Sequence, residues 1–164
     1  MKILNTTTKD IIVLGVLSGM RANAGLLCTT LLIRKQPGSY FSPSRLVQFF
    51  NSRKSLMALS MSGAGEMIMD KLPTTPARTD PGGLSARIIS GAVCGAAVSK
   101  AAGKKPLPGI ITGGLAALVS SFAFYYLRKN FSKAAKITDP IVGAAEDAVA
   151  FAFGVSLLKS NKPL

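Results

Sequence analysis

Residues 107–127, LPGIITGGLAALVSSFAFYYL, form a run of 21 residues without a charge. An α-helix rises about 1.5 Å per residue, so about 20 residues cross the hydrocarbon core of a bilayer. A second run, 10–33, is as long and carries one charge after Asp10, at Arg21. Three weaker segments, 55–72, 85–102 and 140–158, are rich in Ala, Gly, Ser and Met, a composition that fits either a span or a buried core helix. In a soluble helical protein the surface helices would carry polar faces with Glu and Lys at i, i+4 spacing. The segments at 10–33 and 107–127 have none. The apolar stretch near the N-terminus is too long for a signal peptide and reads as a retained span. These features predict an all-α, polytopic membrane bundle of about five helices, in one domain over residues 1–164.

Local punctuation agrees. Lys104-Lys105-Pro106 and Pro108 mark the start of the fourth helix, and Thr138-Asp139-Pro140 marks the start of the fifth. Pro73, Pro76, Pro81, Gly82 and Gly83 make a turn-rich loop after the second. Ser42-Pro43 can start a short interfacial helix with Leu46, Val47 and Phe50 on one face, a plain loop being the alternative.

The chain also repeats itself weakly. Aligning Leu32-Ile33-Arg34-Lys35 with Tyr126-Leu127-Arg128-Lys129 pairs Gly15 with Gly109 and Gly19 with Gly113. Further on, Gly63-Ala64-Gly65-Glu66 matches Gly143-Ala144-Ala145-Glu146. Residues 9–80 and 107–158 then form two halves around a central helix at 84–103. With an odd number of crossings between them, the halves are expected to have inverted topology, as in many transporters. The pairs Gly15/Gly19, Gly91/Gly95 and Gly109/Gly113 have G-x-x-x-G spacing, which lets helix backbones approach closely.

The chain carries 20 Lys+Arg against 7 Asp+Glu, for a net charge of +13. Apart from Arg21 the basic residues flank the apolar segments, ten on one side of the expected membrane and nine on the other. That balance leaves orientation open and allows dual insertion. It describes loops that meet anionic lipid headgroups, not a nucleic-acid-binding face. A bundle this small is expected to work as a homo-oligomer, with a dimer favoured.

Ionisable groups inside a membrane are costly and usually functional. Here they are Arg21, Glu66, Asp70, Glu146 and Asp147, with Asn23, Thr29 and Thr30 as polar neighbours in the first helix. Arg21 is expected to pair with Glu66, Glu146 or both. Asp147 points about 100° away from Glu146, so only one of the two is expected to face Arg21. Four carboxylates around one arginine cannot all stay charged in a low-dielectric site, so a shared proton is expected among them. Enzyme chemistry finds little support: there is no His, no G-x-S-x-G and no Walker A sequence. Cys28 and Cys94 read as packing residues. No metal and no cofactor are expected.

The stretch GAGEMIMDKLPTTPAR at 63–78, with GMRA at 19–22 and GAAEDAVA at 143–150, resembles a family of small bacterial membrane proteins catalogued as domain of unknown function 4126. The resemblance runs from about Ile12 to Gly154. It implies a multi-pass protein of the bacterial inner membrane, with Arg21, Glu66, Asp70, Lys71, Pro73 and Glu146 at the motif positions, and it supplies no mechanism. The intramembrane charges suggest a proton-coupled transporter or channel for a small polar or anionic solute. The alternative is a non-transporting scaffold or accessory subunit whose buried charges fix helix packing.

Overall fold

The computed structural model of the protein describes residues 8–35, 43–69, 81–135 and 139–160, apart from the side chains at 67–69, 128, 131–135 and 139–146. Every regular element in these residues is an α-helix. In chain order they are α1 (Thr8–Met20), α2 (Ala22–Arg34), α3 (Arg45–Asn51), α4 (Arg53–Met69), α5 (Pro81–Ala101), α6 (Pro106–Ala135) and α7 (Asp139–Ser160).

The described residues hold seven helices where about five were expected. The short helix after Ser42-Pro43 is present as α3, where Val47 and Phe50 are fully buried. The larger correction lies at 10–33, which is two helices and not one. Arg21 stands between α1 and α2 with φ −145° and ψ 124°, an extended conformation inside what the sequence reads as a continuous helix. Its N–H still bonds the Leu17 carbonyl at 2.9 Å, closing α1, and its own carbonyl accepts from Ala24 N–H at 3.1 Å, opening α2. Each half has 13 residues, about 20 Å of helix, too short to cross a bilayer alone. Among the described residues, two helices are long and apolar enough to cross a membrane: Pro81–Ala101 and Pro106–Leu127.

α1, α5 and α6 pack most extensively on one another. α5 and α6 form a hairpin. Gly103, at φ 71°, ends α5, and Lys104 N–H bonds the Ser99 carbonyl at 2.8 Å, the Schellman arrangement that a left-handed glycine makes possible. Along the hairpin the backbones nearly touch. A Cβ on Gly95 would run into the Gly109 carbonyl, and one on Gly113 into the Gly91 carbonyl. On the other flank of α6, a Cβ on Gly15 would sit 2.6 Å from the Gly113 carbonyl oxygen and from Ala116 Cβ, and one on Gly19 would strike Ser120 and the Ala117 carbonyl. All six glycines singled out by spacing therefore serve contacts within one chain.

The interior holds hydroxyls beside apolar groups. Ser18, Thr29, Thr30, Ser90, Ser99, Ser120 and Ser121 are buried among Leu14, Leu17, Leu32, Ile33, Ala97 and Val98. The outer face of α6 is apolar: Leu107, Ile111, Leu115, Val119, Phe122 and Tyr126 recur every three or four residues and are all exposed. Buried hydroxyls and an apolar outer face depart from the pattern of a helix facing water.

A charged helix break as candidate functional site

The site grows from the break at Arg21. Interrupting a helix strands carbonyls at the end of one half and N–H groups at the start of the other. Serines from neighbouring helices meet the carbonyls on this stretch. Ser121 Oγ on α6 shares its proton between the Ala117 carbonyl of its own helix at 2.8 Å and the Gly19 carbonyl at 3.1 Å, and Ser90 Oγ on α5 donates to the Ala22 carbonyl at 2.5 Å. Ser120 Oγ donates to the Val16 carbonyl at 3.2 Å. Such hydroxyls let a broken helix persist in surroundings without water.

Carboxylates from two other helices meet the opposite side of the break. Glu66 of α4 lies at the N-terminus of α2, where Oε2 accepts from Asn23 Nδ2 at 2.9 Å and from Asn23 N–H at 3.4 Å. The partial positive charge of a helix N-terminus favours an anion there. Asp147 of α7 takes the guanidinium: Arg21 Nε donates to Asp147 Oδ1 at 2.5 Å, with the two side chains only 11% and 20% exposed. Charge-assisted bonds are among the stronger ones in proteins.

These four residues close one end of a groove of about 640 Å³ between α2, α4 and α7. The rest of its wall is almost wholly apolar, including Leu17, Leu27, Leu31, Phe151, Val155 and Leu158. At the far end of α7, Lys35 Nζ donates to the Leu158 carbonyl at 3.4 Å. The volume lies in the range of small-molecule sites, and an apolar wall with a few convergent polar groups is their usual composition.

Residues 11–164, which hold every part of this arrangement, match one family model. The chain belongs to the Domain of unknown function (DUF4126) family. No curated protein and no solved structure matches it. In this DUF4126 chain the break at Arg21, the Asn23–Glu66 bond and Asp147 all lie within the matched residues.

Four of the residues singled out from sequence come together here: Arg21, Asn23, Glu66 and Asp147. Among the described residues, the expected Arg21–Glu66 bond is not the one formed. The carboxylate on Arg21 Nε is Asp147, and Glu66 is bonded to Asn23. Rotation by about 100° per residue carries Asp147 toward the break, and the turn that Arg21 makes puts the N-terminus of α2 in front of Glu66. Asp70 and the side chain of Glu146 lie outside the described residues. Thr30 Oγ1 bonds the Leu26 carbonyl in its own helix at 2.9 Å, and Thr29 is buried. Cys28 and Cys94 are buried free thiols. Among the described residues no group of His, Cys, Asp and Glu could hold a metal ion. Sequence reasoning passed over Ser90, Ser120 and Ser121. Their only signal is a hydroxyl inside an apolar helix, which α5 and α6 repeat at several positions.

Proposed function

We propose that this chain is a multi-pass integral membrane protein and that the break at Arg21 is the solute and proton site of a small carrier. The observation that supports this best is the break itself. A discontinuous helix carrying an ionisable residue is costly in hydrocarbon and is tolerated where it lines a protein-enclosed cavity. Broken helices whose half-helix ends face a binding site are a recurring device of secondary transporters. The apolar outer face of α6 and the buried serines support the membrane setting.

In this reading Glu66 or Asp147 takes up a proton as the solute leaves its contacts, and α4 and α7 shift against α2. These two helices hold the site from outside the tightly packed trio of α1, α5 and α6, so they can move while the trio stays fixed. We place the protein in the bacterial inner membrane as a dimer, because one bundle of this size encloses little more than the groove.

Purified protein in liposomes with an imposed pH gradient tests this. Solute-dependent proton flux is expected, and Glu66→Gln and Asp147→Asn are each expected to abolish it while the protein stays folded. If both variants are folded and every solute-dependent flux and pH response matches the parent, the carrier reading is lost. The charges then serve packing alone, as in a scaffold or accessory subunit.

A further inference from the structure

We infer that the groove between α2, α4 and α7 binds an amphipathic ammonium ion, its alkyl chain along the apolar wall and its protonated amine at the Glu66–Asp147 end. The inference rests on the carrier reading for the site it uses, and it names the class of molecule that site takes.

Charge argues first. The described charged side chains lining the groove are one guanidinium and two carboxylates, so a cation completes the balance and an anion opposes it. This favours a cation, where the sequence led to the expectation of a small polar or anionic solute. The N-terminus of α2 would repel a cation, but Glu66 already covers it through Asn23.

Hydrogen-bond capacity argues next. Glu66 is engaged through Oε2 and Asp147 through Oδ1. Among the described residues nothing donates to the second oxygen of either. An ionised carboxylate only accepts, so the ligand must bring donors. A protonated primary amine brings three with its charge, whereas a hydroxyl brings one and no charge.

Shape supplies the tail. From Asp147 to Leu158 the α7 wall runs eleven residues, roughly 16 Å of helix. Phe151, Val155 and Leu158 face Leu27 and Leu31 along it. A small hydrophilic amine would leave this wall unused, and a tail without a charged head would leave the carboxylates unmatched.

The test uses the full chain in nanodiscs of zwitterionic lipid and labelled dodecylamine as probe, with dodecanol and dodecanoate as competitors of equal chain length. Saturable amine binding is expected, with alcohol and carboxylate weaker by at least about tenfold. Gly154→Leu places a side chain in the groove where a Cβ alone would meet only Cys28 Sγ, at 3.7 Å. It is expected to abolish binding while the thermal unfolding transition is retained. Asp147→Asn is expected to weaken the amine by about tenfold and to leave dodecanol unchanged; if that variant does not fold, Glu66→Gln takes its place. The inference is overturned if the three probes compete equally, which would make the groove a crevice for lipid tails. It is equally overturned if folded Gly154→Leu binds the amine as the parent does. Amine binding without any solute-dependent proton flux in liposomes keeps this inference and removes the carrier reading. Flux of another solute with no amine binding does the reverse.

Discussion

Two regions of the molecule solve the same problem in opposite ways. Where α1, α5 and α6 meet, glycine removes the side chains and the backbones close the space themselves. Where α2, α4 and α7 meet, large apolar side chains stand apart around a groove, and the helices are held at its end by an ion pair and an amide–carboxylate bond. The first arrangement has no room to adjust, since helices in backbone contact lose many dispersion contacts with any displacement. The second can change its spacing by breaking one or two polar bonds. The weak repeat sharpens the contrast. Residue 115 of α6 corresponds to Arg21, and there α6 runs on as unbroken helix with Leu115 turned outward.

The strongest way to break the comparison is to add one methyl group to the frame. Gly95→Ala drives a Cβ into the Gly109 backbone, which cannot rotate away. We expect a loss of about 3 kcal/mol, read as a drop in the unfolding midpoint in detergent. The same change at Gly154 in the groove, where the nearest atom is Cys28 Sγ at 3.7 Å, adds no clash and is expected to raise stability by about 0.5 to 1 kcal/mol. If the two glycines respond alike, the frame is not tighter than the groove.

Next in size is the bond that holds α7. Asp147→Asn leaves Arg21, 11% exposed, facing an amide where it had a carboxylate. Removing one partner of a buried pair is costly; with both side chains partly reached by solvent we expect about 2 kcal/mol. The loss should be local. Hydrogen exchange is expected to speed up in α7 before it changes in α5 or α6. Uniform acceleration in all three would mean that the pair supports the frame as well.

These cases show what the sequence made legible. The glycine pairs of α5 and α6 announce themselves by i, i+4 spacing, because close helix approach needs small residues on one face and that is a local pattern. The apolar run at 107–127 announces itself by length. The break at Arg21 does not, since Met20, Arg21 and Ala22 include neither Pro nor Gly. The hydroxyls that meet its carbonyls lie far along the chain, Ser121 at 102 residues from Gly19 and Ser90 at 68 residues from Ala22. The carboxylate site was legible as a cluster of residue types. That Asp147 reaches the arginine depends on the rotation of α7, and no pattern within α7 encodes that.

Ser121→Ala tests one of these distant contacts directly. It removes the hydroxyl on the Gly19 carbonyl while leaving α6 its own backbone bonds. We expect about 1 kcal/mol of lost stability, and faster exchange of the amides at 21–24 that open α2. An unchanged exchange pattern at those amides would show that the break persists without the serine.

The smallest expected effect is again a gain in stability. Gly65 lies in α4, beside Glu66, and a Cβ there would meet nothing within 4 Å. Its backbone is ordinary helix, so alanine adds no strain and lowers the entropy of the unfolded chain, for a gain of about 0.5 to 1 kcal/mol. The gain bears on the comparison through function. If α4 must move or loosen for the groove to exchange its contents, then Gly65→Ala should stabilise the protein and slow solute-driven flux together. If instead α4 is as fixed as α5, the stability should rise and the flux should stay the same. A glycine beside the carboxylate, where contacts within the chain do not require it, is explained by the first outcome and left without a physical reason by the second.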